Sequence, residues 1–179
     1  MVREFILTGA PGAGKTTIIR QLAADGIDVI EEAATDVIAR AHARGEAESW
    51  RKPQFIETIT QLQLERLAKP PVGQVRVSDR SLVCTLALAE FLGHPVPPML
   101  EQAIADAVAS GRFERRVLFV DLLGFITPTE ARRITLEDAR RFEGFHVAAY
   151  DRFGFELVRI PAAPVAERVR VVREAMEQA

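Results

Sequence analysis

The run Gly9-Ala10-Pro11-Gly12-Ala13-Gly14-Lys15-Thr16 follows the apolar stretch Phe5-Ile6-Leu7 and fits the spacing G-x-x-x-x-G-K-[ST]. The chemistry of that spacing is phosphate binding. Its glycines let the backbone turn sharply, so that successive N–H groups point into one concavity able to cradle a β-phosphate. A helix beginning at Lys15 adds the positive end of its dipole at the same spot. The Lys15 ammonium can reach β- and γ-phosphates, and the Thr16 hydroxyl suits Mg²⁺. The residues expected to touch a nucleoside triphosphate are Gly9, Ala10, Pro11, Gly12, Ala13, Gly14, Lys15, Thr16 and Thr17.

Phosphoryl transfer needs more than a cradle. It needs a carboxylate for the metal, one for the acceptor's proton, and cations for the charge on the moving group. Three acidic positions follow runs that read as strands: Glu31-Glu32, Asp79-Arg80-Ser81 and Asp121. Asp79 is expected to hold Mg²⁺ with Thr16, and Arg80 supplies positive charge beside it. The plainer reading of Asp79 is a cap for the next helix. Asp121 equally suits a turn. Asp121-Leu122-Leu123-Gly124 also fits D-x-x-G of GTPases, but no Asn-Lys-x-Asp follows it.

Two arginine pairs, Arg132-Arg133 and Arg140-Arg141, lie seven or eight positions apart, a spacing that shares a helical face. They read either as a lid closing over ATP or as a solvated face paired with Glu130, Glu137 and Asp138. His42, His94 and His146 have no metal-ligand spacing and read as surface or turn residues. Cys84 reads as small apolar packing, and Trp50 as partly buried packing or a platform for a substrate ring.

The elements that must position these groups alternate. Strands are expected at Phe5–Leu7, Ile27–Ile30, Val75–Ser78, Val117–Val120 and Phe155–Ile160. Helices are expected from Lys15 to Ala24, Glu32 to Arg44, after Pro53, Ser81 to Leu92, Met99 to Ser110, Thr127 to Asp151 and Pro164 to Met176. Such alternation predicts a mostly parallel sheet covered by helices on both faces, in an α/β domain spanning 1–179.

At 179 residues the chain can bury a full core, and its net charge of −2 comes from dispersed charges. No basic footprint for nucleic acid or anionic membrane is present. One cysteine excludes an internal disulfide, and no apolar run approaches membrane-spanning length. The first strand begins too early for a signal peptide, so a cytoplasmic protein is expected.

The ordered set of phosphate loop, Glu31-Glu32-Ala33-Ala34, Asp79-Arg80-Ser81, Arg-rich segment and Gly154-Phe155-Glu156-Leu157-Val158-Arg159-Ile160-Pro161 resembles the small P-loop "AAA domain" ATPases of kinase-like type. That group is similar to the nicotinamide riboside kinase domain and, more distantly, to nucleoside and nucleotide kinases. The resemblance implies a three-layer P-loop NTPase with a five-stranded sheet of order 2-3-1-4-5. It implies Glu32 as an acceptor-side residue and general base, Asp79 and Arg80 as the strand-end acidic-Arg pair, and Arg132 and Arg133 as arginines of a lid within 125–152. The expected activity is transfer of the γ-phosphoryl of Mg·ATP, or of GTP, to a small acceptor such as a nucleoside. The alternative is a nucleotide-dependent switch, or slow ATPase, read by a protein partner.

Overall fold

Phe5, Ile6 and Leu7 are all completely buried, as are Leu118 and Phe119. Runs of this kind need cover on both faces of a sheet rather than one. In the computed structural model, which describes residues 2–124 and 134–179, that cover is complete. The strands are β1 (Arg3–Thr8), β2 (Asp28–Ile30), β3 (Val75–Asp79), β4 (Arg116–Val120) and β5 (Glu156–Ile160). They pair in the order β2-β3-β1-β4-β5, every pair parallel. Leu7 stands in register with Asp79 on one side and Leu118 on the other, and Val120 with Ile160.

The helices are α1 (Lys15–Ala24), α2 (Ala33–Ala43), α3 (Gln54–Leu67), α4 (Leu82–Leu92), α5 (Pro98–Ala109), α6 (Leu136–Arg152) and α7 (Val165–Glu177). Strand residues alternate between the two covers. Phe5, Leu7, Leu118 and Val120 pack with α1 and α7, whereas Ile6 and Val117 pack with α3 to α6. Because all pairs are parallel, the carboxyl ends of the strands share one edge, which is where open α/β sheets bind ligands. No described helix is long and apolar enough to cross a membrane.

Helix α6 starts later than expected. Its N-cap is Thr135, whose Oγ1 accepts from the Asp138 N–H at 3.0 Å, so the cap rather than the Arg-rich composition sets the start. Arg132 and Arg133, expected in a lid, lie outside the described residues.

Candidate active site

The phosphate loop joins β1 to α1 at the middle of the sheet. Gly9 takes φ 142°, and a Cβ built there would lie 2.3 Å from the Val120 carbonyl oxygen. The loop therefore passes directly over the end of β4, where no side chain fits. Gly9→Ala is expected to lower stability by about 2–4 kcal/mol through overlap and backbone strain, read as a lower urea midpoint.

Lys15 is buried, and its Nζ donates to the Ala10 carbonyl at 3.1 Å. The ammonium thus lies back over the loop, where it can exchange a carbonyl for phosphate oxygens. Thr16 and Thr17 are exposed on the first turn of α1. Behind the loop stands Arg168, a buried residue of α7 whose Nη1 donates to the Ala13 carbonyl at 2.7 Å. In a trans peptide the carbonyl and the following N–H point in opposite directions. Held this way, the Ala13–Gly14 peptide points its Gly14 N–H away from the Arg168 guanidinium. Arg168→Leu is expected to weaken ATP binding about five- to tenfold by calorimetry, the worth of one loop-ordering hydrogen bond.

Asp79 is buried at the end of β3, and the Arg80 N–H continues the ladder by donating to Leu7 O at 2.9 Å. Asp79 is not the helix cap. That task falls to Ser81, whose Oγ accepts from the Val83 N–H at 3.2 Å. Between them Arg80 has φ 71°, the single positive φ outside glycine among the described residues. A left-handed arginine costs about 1–2 kcal/mol, and such strain gathers at functional sites.

Arg80 is clamped from two sides. Its Nε donates to Glu32, and its Nη1 meets His146 Nε2 at 3.1 Å. Glu32, the N-cap residue of α2, also accepts from Thr35 Oγ1 at 2.7 Å. Glu31 is exposed, and its carbonyl receives Arg66 Nη1 at 2.7 Å. Burial alone would raise the Glu32 carboxyl, but the charges of Arg80 and Lys15 and its hydrogen bonds bring it from 4.5 down to about 2. Burial works against the Arg80 charge too, yet Glu32 together with Cys84 and Asp79 outweighs it and raises the guanidinium pKa.

Glu32 and Arg80 line a cavity of about 430 Å³ that also touches Pro11 of the phosphate loop. Its walls include Trp50, Phe55, Ile59, Leu88, Phe91 and Phe142. Thr85 Oγ1 donates to Gln63 Oε1 at 2.7 Å on the same wall. Arg141 lies at its side, 4.8 Å over the Phe91 ring and 3.7 Å from Asp138. Arg140 borders a different groove, so the second arginine pair diverges.

One expectation needs revision, and two residues gain partners. His146 is no surface or turn residue: it is wholly buried in α6, between the Phe142 and Phe119 rings and against Arg80. Cys84 is buried in α4 within the hydrophobic core, as expected, and its Sγ also has Thr8 Oγ1 and Tyr150 OH each at 3.0 Å. Asp121 does not line the cavity; it binds Arg159 Nη1 at 2.8 Å in a cluster shared with Glu143. Arg168, His146, Gln63 and Thr85 were not legible beforehand, because each is a single common residue far in sequence from what it touches.

The loop and the donors around it fit a triphosphate. For Mg²⁺ the candidates are Thr16 and Asp79, and among the described residues no group of three or more His, Cys, Asp or Glu could hold a metal by itself. Two protein ligands suffice for Mg²⁺, which keeps waters and phosphate oxygens in its shell.

A glycine loop and Lys-Thr turn at the centre of a parallel 2-3-1-4-5 sheet define a P-loop NTPase of kinase-type fold. The sequence profile of the AAA domain family matches residues 4–168, and the chain belongs to that family. No curated protein sequence matches it significantly. Among solved structures it is similar to deoxyadenosine kinase from M. mycoides with bound dATP, with TM-score 0.68, 13% identity, and 98% of this chain and 99% of that chain covered. The same enzyme with products dCMP and dCDP gives TM-score 0.66 at 12% identity, covering 98% of each chain. Shikimate kinase from Aquifex aeolicus gives 0.57 at 14% identity, covering 97% of this chain and 96% of that one. At such identities the likeness is one of fold.

Proposed function

We propose that this protein is a kinase that transfers the γ-phosphoryl of ATP to a hydroxyl of a small, uncharged acceptor held in the 430 Å³ cavity. One observation carries the reading: Glu32 and Arg80 line the same cavity as Pro11, so a phosphate site and an acceptor-sized pocket meet at an acid and a cation. A pure nucleotide switch has no need of that juxtaposition.

The loop amides and Lys15 hold the phosphates. Mg²⁺ on Thr16 and Asp79 would supply neutralisation of phosphate charge. Glu32 orients the acceptor hydroxyl, takes its proton as the new P–O bond forms, and releases it to water. A carboxylate brought down to about 2 is a weak base, but it is ionised throughout the neutral range. The loose transition state of phosphoryl transfer asks for little proton removal before the phosphoryl has moved. Arg80 stabilises negative charge on the transferring group.

The cavity's composition supports an uncharged acceptor. Its described cations are Arg80, held by Glu32, and Arg141, held by Phe91 and Asp138. An aromatic or aliphatic body fits walls of Trp50, Phe55 and Phe91, and Gln63 with Thr85 offers hydrogen bonds for orientation. The deoxyadenosine kinase similarity in fold makes nucleosides the first acceptors to try.

The test is turnover of Mg·ATP or Mg·GTP with a panel of nucleosides and other hydroxylated metabolites, read by mass. A phosphorylated product tied to one acceptor class is the expected result. Tight nucleotide binding with turnover that no acceptor accelerates would replace this reading by that of a switch acting on a protein partner.

A further inference from the structure

The guanidinium of Arg80 is an unusual object for a fold to hold: long, charged, largely buried and carried on a left-handed residue. Left to itself, such a side chain would swing out to water, since burying an arginine without directed partners is costly. Glu32 satisfies Nε from the α2 side. A single anionic partner fixes charge but leaves the plane free to pivot about that contact. The second contact, from His146, removes the pivot.

We propose that His146 is a positioning residue for Arg80: its Nε2 lone pair, aimed from α6, fixes the guanidinium plane beside Glu32 at the mouth of the acceptor cavity. The role rests on the kinase reading, because it acts through the pair placed there. The tautomer follows from elimination. Arginine has no acceptor, so at the 3.1 Å contact with Nη1 the imidazole nitrogen must accept. The proton therefore sits on Nδ1, which donates to the Phe142 carbonyl at 3.0 Å, one helical turn back.

The surroundings keep that state. The ring is wholly buried, 4.3 Å from the Phe142 ring centroid and 6.3 Å, edge-on, from that of Phe119. Burial first, and then the charges of Arg80 and Lys15, push its pKa from 6.5 down to about 3. An imidazolium here would have no lone pair for Arg80 and would face two cations. A neutral acceptor is what the position needs, and histidine supplies it on a stiff ring. A second carboxylate in this place would instead compete with Glu32 for Arg80 and leave an excess negative charge beside the phosphates.

The decisive comparison is His146→Phe against His146→Gln. Phenylalanine keeps the ring and its packing but loses the acceptor. Glutamine loses the ring but extends an amide oxygen to about the reach of Nε2. For His146→Phe we expect kcat to fall about ten- to a hundredfold, the worth of one hydrogen bond to a charged group, with KM for ATP changed less than about threefold. For His146→Gln we expect kcat within about threefold of the parent. A merely structural ring predicts the reverse order, Phe active and Gln impaired, and that order would overturn the proposal.

A second readout needs no turnover. In the unsubstituted protein, long-range ¹H–¹⁵N spectra at pH 7 should show His146 with Nδ1 protonated and Nε2 bare, and resolved, slowly exchanging Arg80 Nη1–H signals from the hydrogen held by His146. The Nη1–H signals should broaden and exchange rapidly in His146→Phe and sharpen again in His146→Gln, while the Nε–H held by Glu32 changes little in either. An Nε2–H tautomer, an imidazolium, or Arg80 Nη1–H signals indifferent to both substitutions overturn the role. If no acceptor is ever phosphorylated while the spectra behave as stated, the kinase reading fails and the positioning of Arg80 by His146 stands.

Discussion

Lys15→Ala is expected to lower nucleoside triphosphate turnover by about two to three orders of magnitude and to weaken ATP binding at least tenfold. The buried ammonium is already directed at the loop, on the Ala10 carbonyl, so it needs only a short exchange of partners to meet phosphate oxygens. Alanine keeps the first turn of α1 helical, being the best helix former. It removes the positive charge that opposes phosphate repulsion in a site of reduced dielectric. The variant should therefore fold, with circular dichroism unchanged and a melting temperature within several degrees of the parent, while both calorimetric binding and product formation collapse. Full turnover in a folded Lys15→Ala protein would exclude the loop as the phosphate site.

Glu32→Gln is expected to separate binding from chemistry. Glutamine is nearly isosteric: its amide oxygen can still receive Arg80, its NH2 can donate to the Thr35 hydroxyl where the carboxylate accepted from it, and it cannot take a proton from the acceptor. We expect kcat to fall about 10²- to 10⁴-fold with the dissociation constant for ATP changed less than threefold. Equal losses in binding and rate would instead make Glu32 a support for the loop.

The same substitution carries a stability signature. In the folded protein burial opposes the Glu32 charge, but Arg80 and Lys15 win and hold the carboxyl near 2 instead of 4.5. Since the folded value is the lower one, ionised Glu32 contributes stability above about pH 4.5, and that contribution is lost as pH falls toward 2. Glu32→Gln lacks it, so its urea midpoint should sit closer to the parent's at pH 3 than at pH 7. A gap that is constant with pH would show that Glu32 does not gain its charge stabilisation from folding.

Much of the scaffold was legible in local chemistry. The helix after the phosphate loop runs from Lys15 to Ala24 as its apolar period and Gly26 indicated, and each of the five apolar runs is a strand within a residue or two at most ends. The sheet order is another matter: alternation implies parallel strands, and only the family resemblance pointed to 2-3-1-4-5. Choices between nearby residues were also beyond local reading. Glu32 rather than Glu31 lines the cavity, because a one-residue step at a strand end reverses the direction of a side chain. Ser81 rather than Asp79 caps α4, because Asp79 is still the last residue of β3 and Ser81 stands immediately before the helix.

Glycine spacing, helix stops and apolar periodicity are settled by forces acting within about a turn of chain. They suffice to place a phosphate loop, a strand-end acid and an Arg80 on the same edge of a sheet. What Arg80 would touch is a different kind of question. His146 lies 66 positions away in sequence, and Ala13 and Arg168 are 155 apart. Those meetings exist because parallel crossovers bring α6 and α7 back against the sheet on opposite faces. No periodicity encodes them, since each depends on the packed volume of every side chain between.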